Sequence, residues 1–411
     1  TAPTAPLLLL ALLAAEGGPG NGGEGGNGGG VVVPRPGAVW HAEPARLLGR
    51  PLYRVPVPAE CGGVPDPFAL LEAVRRVRDA GGDPRTLVLS VADDITGTTA
   101  PPELLYEVCQ AAVQEGLLVV SDESWRDASH DPHGPVVVSP AEIAHHPGRH
   151  PDGGVGADGS PDGGTDDEPV VVVVAPGAGP RFTPRATPRS LAGGPSAGVA
   201  RLPATGRGRA LGDRMRGVLA ALHPGPRGPA ATAAVEALTE PERLRELRAA
   251  VNRAHGALAA ALHRALTGVG AVCRPPRAGR HLYPDFEALR PALAARGIED
   301  APRLEAELVR RLGPYVQGGH RFGDDPRALR ARLSTAVLTR GVSRIAVPLQ
   351  DSSVPPGPPD ALGGPDTLDD LGIPHPTGAG PPPGPHDPLE RPEVAGRLAA
   401  VASALTELAT C

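Results

Sequence analysis

The chain has 411 residues and a net charge of −6; all 40 of its cationic side chains are arginine, because no lysine occurs. The acidic balance and the absence of a basic cluster argue against nucleic acid as the main partner. Gly 55 and Pro 52 gather in a few stretches, and aromatics at 2% leave Leu, Val and Ala to build any core between them.

In chain order, the apolar run Leu7 to Ala15 resembles a secretory h-region. It lacks a basic flank and is too short to cross a bilayer, so a soluble cytoplasmic protein with no membrane partner is expected. Residues 16–30 are nearly all Gly, Asn and Glu and read as a flexible excursion. Val31 to Val33 begins a strand, and residues 52–57 form a second, closed by Pro58. Asp66 and Pro67 supply an N-cap and first turn, Leu70, Leu71, Val74 and Val77 follow at helical spacing, and Gly81 and Gly82 end the helix. Thr86 to Val91 is a buried-type strand. Pro101 and Pro102 open a helix striped by Leu104, Leu105, Val108 and Ala112, and Leu117 to Ser121 is another strand. This alternation predicts parallel strands joined by crossover helices.

From His145 to Asp167 the sequence loses all apolar periodicity and reads as a disordered insertion. Val170 to Val174 is a strongly apolar strand. Helical stretches follow at roughly 229–239 and 241–268, then short mixed elements over 270–345, a Pro-rich segment over 351–390 and an amphipathic helix from Val394 to Leu408. The expected division is a large domain over 1–228 with an insertion at 145–168, and connecting helices with a small α+β domain over 229–345. A Pro-rich linker over 346–390 and a terminal helix over 391–411 complete it. Cys61, Cys109, Cys273 and Cys411 form no CxxC pair, which argues against a zinc site and for reduced thiols.

Three stretches carry a family resemblance. "LVLSVADDITGTTAPPELLYEVCQAAVQEGLLVVSDESWRD" (87–127) is similar to the strand, Asn-Pro-x-x-Pro-Thr-Gly turn, helix, strand and Asp-Glu-x-Tyr run of class I/II aminotransferases of fold type I. "GGPSAGVARLP" (193–203) resembles the segment after their catalytic lysine, and "GGHRFGDDPRALRARLST" (318–335) the segment ending in their carboxylate-binding arginine. The resemblance runs in order from about residue 1 to 345. It implies an α/β fold with a mostly parallel mixed sheet flanked by helices, plus a smaller C-terminal α+β domain, and it places the first portion of the large domain before Thr1. It also implies amino-group transfer on a carboxylate-bearing amino acid, pyridoxal phosphate as cofactor, an amino or keto acid as small-molecule partner, and a dimer.

By the same resemblance, Asp122 matches the aspartate that pairs with the pyridinium nitrogen, keeping the ring electron-withdrawing. Read from position alone, it could instead start a loop after a strand. Asp94 matches the asparagine that bonds the cofactor's phenolate, although an ionised carboxylate cannot donate that bond. Trp125 matches the tyrosine that reaches the same oxygen; a partly buried anchoring aromatic is the other reading. Arg332 matches the arginine that grips a substrate carboxylate, against the alternative of an ordinary salt bridge. The lysine aligns with Pro188 and the following phosphate-contacting arginine with Ser196. Arginine cannot stand in for a lysine nucleophile, since it never loses its proton. No histidine lies between His150 and His223 to act in its place. The stacking aromatic aligns near Ala38, two residues before Trp40, and the phosphate turn would lie around Thr1 to Thr4. The expectation is therefore a degenerate site, with a non-catalytic pseudoenzyme partnering an active paralogue as the alternative.

Other motifs are weaker. His130, His133, His145, His146 and His150 sit in a Gly/Pro context with no rigid metal spacing. Ser139 and Ser160 lack a nucleophile elbow, and "GAGP" (177–180) lacks the rest of a dinucleotide fingerprint.

Overall fold

Val- and Leu-rich runs bounded by Pro and Gly become the strands of one sheet in the computed structural model, which describes residues 4–17, 29–131, 137–144, 170–174, 198–222, 235, 238–339 and 387–410. Helix α1 (Ala5–Glu16) leads into β1 (Gly30–Arg35), α2 (Val39–Leu47), β2 (Leu52–Pro56), α3 (Pro67–Asp79) and β3 (Pro84–Ser90). A small ribbon, β4 (Ala92–Asp93) and β5 (Thr98–Thr99), precedes α4 (Pro102–Gln114) and β6 (Leu118–Asp122). Then come α5 (Pro140–Ala144), β7 (Val170–Val174), β8 (Val199–Arg201) and α6 (Gly206–Leu222). The sheet order is β2-β1-β3-β6-β7-β8, parallel except for the final β7–β8 pair.

Alternation along the strands feeds two cores. Val32, Leu87, Leu89 and Val119 face α3 and α4, where Leu70, Val74, Leu105 and Val108 cover them. Val31, Val33, Val88, Val120, Val171 and Val173 face the other side, covered by α1 and α6. The strands are therefore apolar on both faces, as parallel sheets require. The α3 boundaries follow the sequence expectation: the Asp66 carboxylate accepts from the Ala69 backbone N–H at 3.0 Å, and Pro67 occupies the first turn.

The Leu7 to Ala15 run is a core helix rather than a leader-like segment. Leu8, Leu9, Leu12 and Leu13 are buried, and burial of each is worth about 2 kcal/mol. Arg50, itself buried, locks the end of α1 to the sheet by donating to the Leu13 and Gly29 carbonyls and to Glu16. Helix α6 was not foreseen. Its interior Gly212 and Gly217 each cost about 1 kcal/mol relative to alanine, whereas Gly208 is required, since a Cβ there would stand 2.1 Å from the Pro203 carbonyl oxygen. Burial of Leu211 and Met215 against the sheet outweighs that penalty.

A third core forms around α7 (Glu242–Gly268), β9 (His281–Leu282), α8 (Arg290–Ala294), α9 (Ala301–Leu312), β10 (Val316–Gly318), β11 (Ala331–Ser334), α10 (Ala336–Thr339) and α11 (Pro392–Ala409). The three strands pair antiparallel in the order β10-β11-β9. Val394, Val401, Leu405 and Leu408 bring the terminal helix α11 into this core. The segments expected as an insertion at 145–168 and a linker at 346–390 lie outside the described residues except for 387–390, where Pro388–Glu390 form a short 3-10 turn and Leu389 packs on this core; most of the 229–239 stretch is also outside. Among the described residues no helix is long and apolar enough to cross a membrane.

Candidate functional site

Register places the polar residues. On the small sheet, Leu333 pairs with both Val316 and Leu282, and this face is core. The alternate positions pair Gln317 with Arg332 and His281 with Ser334, so these polar side chains share the opposite face. That face meets the turn between β4 and β5, which carries Asp94. His281 Nδ1 donates to Asp94 Oδ1 at 2.7 Å, and Arg332 donates to Asp94 Oδ2 at 3.2 Å. The second Arg332 terminal nitrogen donates to Gln317, and Phe322 lies beneath its guanidinium at 4.8 Å. Arg280 stacks over Trp125, 5.6 Å from the ring centroid.

The electrostatics follow from burial and neighbours. Burial alone would push the Asp94 carboxyl up, but the His281 ring and the Arg332 and Arg280 guanidiniums outweigh it and hold the group below the usual carboxylate range. Burial pushes His281 down to about 4, with Arg332 and Arg280 assisting and Asp94 opposing. At neutral pH the pair is therefore an ionised Asp94 accepting from a neutral imidazole.

Asp122 lies at the carboxyl edge of the large sheet, opposite Ser90 in register, where open α/β sheets place ligands. Its carboxylate accepts from His41 Nε2 at 3.0 Å, Ser90 Oγ at 3.3 Å and the Ser124 backbone N–H at 3.0 Å. His41 is buried, and its Nδ1 has no hydrogen-bond partner among the described residues. Trp40 meets the His41 ring edge-on at 4.3 Å. It braces that histidine against the α1-side core, to which it packs.

The joint between the two sheets is Gly97, in the same turn as Asp94. Its carbonyl accepts from the Arg277 and Ala278 backbone N–H groups at 2.7 and 3.1 Å. Its φ of 70° is left-handed, and a Cβ there would stand 2.1 Å from the His281 carbonyl oxygen. Gly97→Ala is therefore expected to cost about 2 kcal/mol in urea denaturation and to loosen the His281–Asp94 contact.

Thus the four residues singled out in the sequence fall into two groups along one edge: Asp122 with His41, and Asp94 with Arg332 beside the Arg280–Trp125 stack. His41, Arg280, His281 and Gln317 were missed. A polar pair, Arg280–His281, just before Leu282 was the available signal. Pro188, Ser196 and Thr1 lie outside the described residues; Thr4 caps α1 by accepting from the Leu7 N–H at 3.4 Å. Of the five loop histidines only His130 is described, and its Nε2 donates to the Gly279 carbonyl at 2.7 Å. Among the described residues no group of three or more His, Cys, Asp or Glu could hold a metal ion.

Two sheets of this order, meeting at an edge that carries Asp122, Asp94 and Arg332, can be compared with known proteins. The chain is similar to the Thermus thermophilus aspartate aminotransferase in a tetra-mutant structure, with a TM-score of 0.58 and 21% identity, covering 82% of this chain and 74% of that one. This is an aminotransferase fold. An aromatic aminotransferase from Pyrococcus horikoshii matches with a TM-score of 0.56 at 18% identity over 82% of this chain and 74% of that one. The N-succinyldiaminopimelate aminotransferase of Mycobacterium tuberculosis matches at 0.55 and 20% identity over 81% of this chain and 72% of that one. In sequence, the chain is 29% identical over 107 residues to the aspartate aminotransferase of Pyrococcus horikoshii. That match spans 25% of this chain and 26% of the relative, about a quarter of its length. No family model matches the chain.

The residues present do not fit pyridoxal phosphate as aminotransferases hold it. The sequence contains no lysine for an imine. Asp94, which the resemblance sets against the ring oxygen, offers only acceptor oxygens, and Arg332 and His281 already donate to them.

Proposed function

We propose that this chain is a degenerate class I/II aminotransferase relative whose cleft binds a small amino or keto acid through Arg332 and forms no side-chain aldimine. The observation that carries the reading is the Asp94 carboxylate held between His281 and Arg332. By the resemblance it puts a negative charge in the place of a neutral donor, and it holds Arg332 on the polar face of the small sheet. The arginine supplies planar, paired donors suited to a carboxylate.

Mixing the purified protein with pyridoxal phosphate, reducing with borohydride and mapping peptides tests it. No pyridoxyl adduct is expected on any side chain; an adduct on a side chain would overturn the proposal.

A second reading, retained amino-group transfer, is favoured by the Asp122–His41 pair, a buried carboxylate and imidazole at the carboxyl edge of the large sheet. Release of an oxo acid from an amino acid by the purified chain supplied with pyridoxal phosphate would establish it. The proposal also takes the protein to be cytoplasmic, and either a homodimer or the partner of an active aminotransferase paralogue. Co-purification, with activity only in the mixture, is the expected sign of the latter.

A further inference from the structure

We propose that Arg35, Arg46 and Arg54 form a binding site for a phosphate-class dianion, the free ion or a small phosphomonoester, at the outer edge of the large sheet. The site is independent of Arg332. None of its three arginines is a residue that the resemblance matches to the cofactor's phosphate.

Register brings the three together. In the parallel β1–β2 pair, Val31 stands opposite Leu52, Val33 opposite Arg54 and Arg35 opposite Pro56. Val31, Val33 and Leu52 pack into the core on the α1 side of the sheet. Arg54 and Arg35, at alternate positions, therefore share that face and lie diagonal to one another. Helix α2 covers the same two strands, burying Ala45 there, and its next residue is Arg46. The Arg54 guanidinium also lies flush against the turn at Gly323, where a Cβ would collide with it.

Charge at this corner is unbalanced. Burial, Arg46 and Arg35 all lower the proton affinity of Arg54, and Glu43 opposes them. Glu43 itself accepts from Arg46. Three guanidiniums thus face one carboxylate, a surplus of two positive charges. Elsewhere in the fold arginines sit beside an acid, as Arg75 and Arg76 do with Glu72 and Arg310 and Arg311 with Glu307. Among the described residues the Arg35 and Arg54 side chains donate to no acceptor, and none of their nitrogens is sealed from solvent.

The ligand class follows from the donors. Strand β2 is the outermost of the sheet, so an ion enters from the side. A carboxylate has two oxygens and one charge, enough for a single guanidinium fork. A phosphoryl group offers three or more terminal oxygens and nearly two negative charges, which matches three forks and the surplus.

Calorimetric titration of the full chain at about pH 7.5, where phosphate is mostly dianionic, tests this with sodium phosphate, glycerol 3-phosphate and sodium acetate at matched ionic strength. At least one of the two phosphates is expected to bind about tenfold or more tightly than acetate. It should also raise the urea midpoint where sodium chloride of equal ionic strength does not. Arg54→Gln and Arg46→Gln should each weaken that binding about tenfold. Arg76→Gln, at an exposed arginine of α3, should leave it unchanged. Tighter binding of glycerol 3-phosphate than of phosphate assigns the site to an organic phosphate; otherwise the free ion is its ligand. Binding of both phosphates no tighter than acetate overturns the proposal. So does binding untouched by Arg54→Gln, or by Arg46→Gln at its half-exposed side chain should Arg54→Gln not fold.

Discussion

Asp94→Ala is expected to lower the stability of the protein by about 3 kcal/mol in urea denaturation, and Asp94→Asn by about 1 kcal/mol. The alanine removes the acceptor for both His281 and Arg332. It leaves Arg332 and Arg280 as neighbouring cations with no anion between them. Breaking a buried ion pair from one side costs about 3–5 kcal/mol, because the other charge stays in place without compensation. Partial exposure of both side chains puts this site at the lower end of that range. Asparagine has nearly the same shape and keeps one oxygen acceptor for Arg332, while its NH2 meets His281 Nδ1, which accepts once the imidazole proton moves to Nε2. If the two variants destabilise equally, the contribution comes from the charge that both remove rather than from the shape that only asparagine keeps. A double-mutant cycle with Arg332→Met isolates the pair: the coupling should be favourable and should shrink in high salt only slightly, since recessed charges are poorly screened.

The same cluster shows where sequence reading reaches its limit. The β1, β3 and β6 strands and the α3 and α4 helices are legible because their signals are local. Asp66 caps, Pro67 and Pro102 start helices, Gly81 and Gly116 lie just past the ends, and valines alternate between faces. Asp122 could be placed at a strand end within one residue for the same reason. His281 could not be placed against Asp94, because that contact spans 187 positions and depends on the register of a two-residue strand. Arg332 was recognised through its neighbours, yet its partner Asp94 is 238 positions away, so the ion pair between them was invisible. Helix α1 was left unassigned for a different reason. A mostly buried helix is apolar on nearly every face, and composition alone does not give it an amphipathic period.

Acid should destabilise this protein earlier than carboxylates alone would dictate. His281 titrates at about 4 in the folded chain against an ordinary 6.5, because burial and two nearby guanidiniums oppose its charge. Between those values the unfolded chain binds a proton that the folded chain refuses, so stability falls as pH drops through the window. The contribution is fully present above pH 6.5 and is lost progressively down to about 4. At 1.36 kcal/mol per pKa unit, the loss from this one ring amounts to about 3 kcal/mol. His255, buried on α7 and hydrogen-bonded to Thr335, is shifted well down by burial and adds a loss in the same direction. Asp94 acts lower: its depressed value protects the fold above the unfolded carboxylate pKa, and that protection disappears only as pH falls through its folded value. The expected profile from urea melts is thus a decline beginning near pH 6.5, with a second loss below about 4. His281→Gln keeps an N–H for Asp94 but cannot titrate, so it should flatten the upper decline by about 3 kcal/mol and, by removing the imidazole charge that helps hold Asp94 down, make the lower loss smaller. A profile level from pH 7 to 4.5, or one unchanged by His281→Gln, would show that the imidazole is hydrated in solution and that the two sheets do not close over it.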